Sequence, residues 1–339
     1  MPKLRCETSR LETILNRTAK IGGVLAVVLA SVIPAFANEV LHVGKAVPQS
    51  FSFALLDVGV DQNFFRQEGL DIESTGFSGG QKNIAAMIGG SIDIGLDSGP
   101  DMAAIVKGAT IKGVAAMAGP PLDTTVAVGT QQPIYTVADL KGKRISVASK
   151  SSLLGWLVRQ VSIHEGWGPD GINEVPVGGP QAAWPLVKTG DLDGLGVDLG
   201  AALQAQAHGD ARVIVHFGDY VKDFHNYVIF ATDKLIAEKP DTVRAFLRAW
   251  FRSVEFAHSN KDKTVRVIAT VLNMDPPIVA QIYDHQMPMY SRTGRFEPKA
   301  LAVLARSYVE SGNLPTEPDM SKLYTEVFLP SDNSGQKIQ

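Results

Sequence analysis

The stretch Glu68–Gly95, EGLDIESTGFSGGQKNIAAMIGGSIDIG, has a counterpart at Glu165–Gly194, EGWGPDGINEVPVGGPQAAWPLVKTGDLDG. A shift of one hundred residues lays Gly79, Gln81, Gly90 and Asp93 on Gly179, Gln181, Gly190 and Asp193. Glu68-Gly69 maps onto Glu165-Gly166 at a shift of 97, the difference absorbed by an insert around Pro169-Asp170. Gly69 suits a helix end, because it accepts a left-handed backbone without a Cβ clash. Leu70–Ser74 alternates like a strand, Ser78-Gly79-Gly80 reads as a turn, Gln81–Ile88 returns to helical spacing, and Ile92–Leu96 is a further strand. Four identities alone carry little weight in a chain with 32 glycines. The shared order of helix end, strand, turn, helix and strand weighs against accident, and two α/β lobes of like layout are expected.

Upstream, Val40–Lys45 reads as a buried strand. Ser50 opens a helical region with an apolar face through Phe53, Leu56, Val60 and Phe64. The β-α-β-α-β order implies a parallel sheet with crossover helices. The second lobe opens near Thr136, whose side chain caps a short turn, and has strands at Lys143–Ala148 and Val213–His216. Tyr227–Ala231 is a strand on the path back to the first lobe. Asp241–Asn260 then puts Val243, Phe246, Leu247, Trp250, Phe251 and Val254 on one helical stripe. Pro298–Glu310 is a last strong helix, closed by Gly312. The expected division is 1–37 leader, 38–128 first part of lobe one, 129–226 lobe two, 227–330 return to lobe one with C-terminal helices, and 331–339 a loose tail.

The leader is basic through Arg17 and Lys20, then apolar from Ile21 to Ile33, then ends Pro34-Ala35-Phe36-Ala37. Thirteen apolar residues suit an export signal better than a membrane span, and the small residues place cleavage after Ala37. Its removal takes away five basic and two acidic residues, moving the net charge from −3 to −6. A mildly acidic exported chain is a poor match for nucleic acid. The single cysteine, Cys6, falls in the leader. The rest therefore has no disulfide, thiolate nucleophile or cysteine metal site. The seven histidines lack paired metal spacing, and no nucleophile elbow is present. No cofactor is expected, the chain is read as a binder rather than an enzyme, and nothing calls for an obligate oligomer, so a monomer is expected.

In open α/β sheets a ligand sits beyond the C-terminal ends of the strands, where helices begin and free N–H groups favour anions. The candidate residues there are Gln49, Ser50, Phe51, Gly79, Gly80, Gln81 and Ser98 in lobe one. In lobe two and its return they are Lys150, Ser151, Ser152, Asp198, His225 and Asn226. Most hydroxyls in this set are expected to cap helices, with some touching ligand. Asp93 and Asp193 are expected to brace turns. Lys82 and Lys150 are the cations nearest the loops, while Trp156 and Trp184 face either core or ligand.

The segments FFRQEGLDIE, SGGQKNIAAMIGGSIDIG, TVADLKGKRISVAS, HEGWGPDGINEVPVG, TGDLDGLGV and ATDKLIAEKPDTVRAFLRAW together resemble the periplasmic substrate-binding proteins of nitrate, taurine and alkanesulfonate ABC importers, a group that includes thiamine-precursor binders. The resemblance spans nearly all of the chain after the leader. It implies a type II periplasmic-binding fold, with a ligand cleft between two lobes joined by two crossovers. It also implies a small-molecule ligand, an ABC permease and its ATPase as partners, and a periplasmic location. Contacts would fall around Ser50, Gly80-Gln81, Ser98, Ser151-Ser152, Asp198 and Asn226. The resemblance does not fix the ligand; the helix N-termini with Lys82 and Lys150 favour a small organic anion such as an alkanesulfonate or taurine, with nitrate, an aromatic carboxylate or a pyrimidine as alternatives. Relatives of this fold that catalyse reactions rely on cysteine, which is missing here after the leader. A sensory protein presenting its ligand to a membrane receptor is a further alternative.

Overall fold

Ten strands form two mixed five-stranded sheets in the computed structural model, which describes residues 38–331. The expected leader and most of the expected loose tail lie outside the described residues. In chain order the strands are β1 (Glu39–Lys45), β2 (Leu70–Gly76), β3 (Ile94–Ser98), β4 (Ile111–Ala118), β5 (Thr124–Gly129), β6 (Arg144–Val147), β7 (Asn173–Pro176), β8 (Gly194–Asp198), β9 (Ala211–His216) and β10 (Tyr227–Thr232). The first sheet runs β2-β1-β3-β10-β4 and the second β7-β6-β8-β5-β9.

The internal echo in the sequence is structural. Helices Gly80–Ile88 and Pro180–Thr189 start one hundred residues apart, as do β3 and β8. Asp93 accepts from the His42 backbone N–H at 3.0 Å, and Asp193 accepts from that of Arg144 at 2.7 Å. The matched aspartates thus close the same turn in each half, tying their segments to β1 and to β6, the parallel neighbours of β3 and β8.

Three expectations need correction. The sheets are not wholly parallel: β10 runs antiparallel between β3 and β4, and β5 runs antiparallel between β8 and β9. Each sheet thus takes in one strand that begins where the chain has just crossed over, and such a strand arrives from the opposite end. The first helical region is broken into Leu55–Asp61 and Phe64–Gln67 by Asn63, which adopts a left-handed φ of 58°. The break shifts the phase, so Val60 is exposed and Phe64 only partly covered, while Phe65 takes the buried position. The strand expected at Ile92–Leu96 lies two residues later, because Asp93 is spent on the turn.

Helix Pro240–Ser259 buries Val243, Phe246, Leu247, Trp250 and Val254 as their spacing requires. Phe251, at the edge of that stripe, is partly covered. Helix Pro298–Glu310 has the expected bounds, and Gly312 follows it with φ 70°. Apolar packing does not stop at the sheet boundaries. One buried cluster joins Ile84, Ala116 and Phe230 of the first half to Val126, Ile145 and Trp156 of the second. The two crossover segments, 119–123 and 217–226, meet where Asn226 N–H donates to the Gly119 carbonyl at 3.0 Å.

Candidate functional site

The strand ends of the two sheets converge on the crossovers, and six polar side chains meet there. Ser50 follows β1 and Asp198 ends β8; the Ser50 hydroxyl donates to Asp198 Oδ2 at 3.1 Å, joining the two halves directly. Asp198 also caps helix Leu199–Ala207, accepting from Gly200 N–H at 2.8 Å and Ala201 N–H at 3.4 Å. Next to it in the sheet, Thr124 pairs with Asp198, which brings Asp123 to the centre. Asp123 is fully buried and accepts from Ser52 Oγ at 2.8 Å, Asn226 Nδ2 at 2.7 Å and the Tyr227 hydroxyl. Tyr290 packs alongside, donating to the Phe51 and Ser52 carbonyls.

A second acidic group sits at the end of β3. Asp97 accepts from Asn83 Nδ2 at 3.0 Å, and Ser98 Oγ donates to Asp101. Both carboxyls press on Gly80 at the start of helix Gly80–Ile88. A Cβ placed on Gly80 would lie 2.2 Å from Asp101 Oδ2 and 2.3 Å from Asp97 Oδ1. Glycine here makes room for the acids, which was not legible from the turn signal alone.

Electrostatics follow from burial. Asp198 is pushed up to about 7, first by desolvation and then by the charge of Asp123. Asp123 is raised by burial, although its three donors pull the other way. Asp97 and Asp101 are both raised by burial, and Asp97 further by its neighbour, as expected for two carboxyls competing for one proton. Burial raises the Tyr227 hydroxyl well above its ordinary range, helped by Asp123, and so keeps it a donor. Burial holds His225 down to about 4, and its Nε2 accepts from Glu297 N–H at 3.0 Å, which requires an unprotonated ring nitrogen.

The expected residues separate into groups. Ser50, Asp198 and Asn226 come together at the crossover, linked through Asp123. Gly80 and Ser98 come together at the Asp97–Asp101 pair, with Gly79 one residue before. Phe51 is buried edge-on to Tyr283 at 6.5 Å, and His225 is buried edge-on to Phe296 at 5.2 Å. Ser152 caps helix Leu153–His164 through Gly155 N–H at 3.2 Å, while Lys150 and Ser151 are exposed in the loop before it. Gln49 and Gln81 are exposed at the margins. Trp156 is core: its ring stacks on Phe224 at 5.1 Å and its Nε1 donates to Glu310 at 2.6 Å. Trp184 is partly buried against the small apolar cluster of the second half. Asp123, Ser52, Tyr227 and Asp101 were not singled out from sequence. An aspartate after Pro120-Pro121-Leu122 carries only a turn signal, and its partners lie 71 to 104 residues away.

The cations sit outside this constellation. Lys45 is ion-paired with Asp57 at 2.9 Å, and Arg159 binds Glu174 at 2.9 Å and the Lys150 carbonyl. Lys82 is exposed and donates to Ser78 Oγ at 2.7 Å. Among the described residues, no group of three or more His, Cys, Asp or Glu side chains is placed to hold a metal. A groove of about 480 Å³ between helices Leu55–Asp61 and Lys261–Leu272 shares no residue with these clusters. The arrangement offers a polar solute hydrogen-bonding groups from both halves.

Comparison with known proteins bears on this geometry. Residues 50–264 match the family model described as NMT1/THI5 like. Comparison of the sequence with curated proteins returns no match. Among solved structures, the alkanesulfonate-binding protein SsuA from Xanthomonas axonopodis pv. citri, bound to MOPS, superposes with TM-score 0.71 at 19% identity, covering 86% of this chain and 100% of that one. The periplasmic aliphatic sulphonate binding protein SsuA from Escherichia coli gives TM-score 0.71 at 20% identity, covering 89% and 96%. The desulfurization enzyme DSZB gives TM-score 0.63 at 17% identity, covering 86% and 97%. These likenesses establish the two-lobe periplasmic-binding fold; they include both binding proteins and an enzyme.

Proposed function

Since the chain belongs to the NMT1/THI5-like family, we propose that it is the solute-binding component of an ABC importer, exported to the periplasm by residues 1–37 and handing its guest to a permease and its ATPase. The observation that carries this reading is the Ser50–Asp198 contact, which joins the strand ends of the two halves at the crossovers. A solute entering between them has polar groups from both halves within reach, and such contacts favour the closed form over the open one. The absence of cysteine after Cys6 supports binding without conversion.

The ligand expected from the sequence is an alkanesulfonate- or taurine-like anion, and the two SsuA neighbours are in keeping with it. The acids at the crossover favour the alternative of a ligand that donates hydrogen bonds, such as a pyrimidine. A thermal-shift panel of sulfonates, nitrate, aromatic carboxylates, amines and aminopyrimidines tests the carrier reading, because a solute that binds only the native state raises Tm by mass action. At least one class is expected to raise Tm in proportion to its logarithmic concentration. Product formation from a bound solute, without any added partner, would sink the carrier reading in favour of an enzyme.

A further inference from the structure

We propose that the guest of this site enters with a cationic or N–H-donating nitrogen against Asp198, Asp123 and Asn226, so that the solute is a small amine-bearing molecule. The inference rests on the carrier reading and specifies the chemistry of the same site.

Two of the helix ends that favour an anion in an open α/β sheet are already occupied by the protein's own acids. Asp97 and Asp101 lie over Gly80 at the start of helix Gly80–Ile88. Asp198 takes the Gly200 and Ala201 N–H groups that open helix Leu199–Ala207. The positive end of a helix dipole stabilises one negative partner. A sulfonate arriving beside these carboxyls would meet like charge where sequence reasoning expected attraction. Helix Leu153–His164 is capped by the neutral Ser152 hydroxyl. The cation behind that loop, Arg159, binds both Glu174 oxygens through Nη1, and only its Nη2 is left buried without a partner.

An independent observation points to a donor. Asn226 is wholly buried, its Nδ2 faces the Asp123 carboxylate, and its Oδ1 has no partner. Because Nδ2 must face the acid, the unfilled end is the acceptor. Thr124 Oγ1, beside Asp123 in the chain, is likewise buried without a partner. A buried polar atom left unpaired is unfavourable, and a ligand donor would remove that cost. Half-buried Asp198 provides the accessible charge next to these atoms. An ammonium or amino group can donate to all of them; a sulfonate oxygen can accept from the Thr124 hydroxyl but leaves Asn226 Oδ1 unfilled.

The test uses pairs that differ only in the nitrogen: taurine against ethanesulfonate, and putrescine against 1,4-butanediol, by titration calorimetry on the purified protein. The amine-bearing member of at least one pair is expected to bind at least about tenfold more tightly, the scale of one charge-assisted hydrogen bond. Asp198→Asn keeps the helix cap, since asparagine caps as well as aspartate, and is expected to erase that preference. Equal or tighter binding of the nitrogen-free member in both pairs overturns the inference while leaving a carrier; loss of ethanesulfonate binding in Arg159→Gln would then locate the anion at Arg159 instead. If no amine-bearing probe binds, the inference falls, and if the wider thermal-shift panel is also blank the carrier reading falls with it.

Discussion

Asp123 shows how one side chain can hold a crossover. Its carboxylate takes three donors from two segments distant in the chain, so truncation strands Ser52, Asn226 and Tyr227 together in a dry interior. Asp123→Ala is expected to destabilise by about 3 kcal/mol or more, read as a lowered urea midpoint. Asp198 and His225 act on stability in opposite senses. The folded value of Asp198 lies above its unfolded one, so the folded chain holds the proton longer. Stability therefore falls as pH rises from the ordinary carboxyl range to about 7. His225, held down to about 4, gives up its proton earlier when folded, so its contribution is present above the ordinary histidine range and lost as pH falls toward 4. Asp198→Asn should thus gain on the wild type as pH rises toward neutrality, in Tm measured across a pH series. A constant difference at every pH would contradict the raised Asp198 value. None of this was legible in the sequence, because an aspartate in a turn and one in a crossover cluster look alike until distant partners are known.

At the scale of elements, the echo between Glu68–Gly95 and Glu165–Gly194 was readable because it rests on local punctuation. A left-handed glycine, an alternating strand and a helix start are each specified within a few residues. Helix Gly80–Ile88 shows where local reading ends. Its start at a glycine pair was expected, yet the reason for Gly80 in particular is the Asp97–Asp101 pair lying over it. Gly80→Ala leaves φ acceptable but drives a methyl into both carboxyls. A cost of about 1–3 kcal/mol is expected from such overpacking, with a smaller loss at Gly79-flanking polar substitutions such as Gln81→Ala. Equilibrium unfolding of the two variants measures the contrast. The break at Asn63 was missed because the apolar spacing on each side continues a plausible helical stripe; only packing of Phe65 beside Phe246 selects the broken form.

For the whole molecule, the two sheets are alike in layout but not independent in packing. One buried cluster runs between them, and Trp156 of the second half both stacks on Phe224 and donates to Glu310 at the end of helix Pro298–Glu310. That helix is tied to the first half through Tyr308, whose hydroxyl donates to the Gly99 carbonyl at 3.2 Å. The link therefore restrains opening about the crossovers. Glu310→Ala removes the acceptor of both Trp156 and Gln160, the former a charge-assisted bond worth about 1.5–3 kcal/mol, and should shift the solute-free population toward a more open form. Small-angle scattering is expected to show a larger radius of gyration for this variant and a return toward the wild-type value with a bound solute. An unchanged radius would mean that the apolar cluster alone holds the halves together.

The sequence by itself determined the two-lobe α/β layout, the matched aspartate turns, the C-terminal helices and the placement of Ser50, Asp198 and Asn226 at strand ends. Those features follow from periodicity, caps and glycine punctuation, all of which act over a few residues. Only the tertiary structure decided which of the candidates meet, and that acids rather than cations gather where they do. Partners such as Ser52 and Asp123, or Asp123 and Tyr227, are brought together by the way the chain crosses twice between the sheets. Burial at that crossing then sets their charge, and no spacing along the chain encodes it.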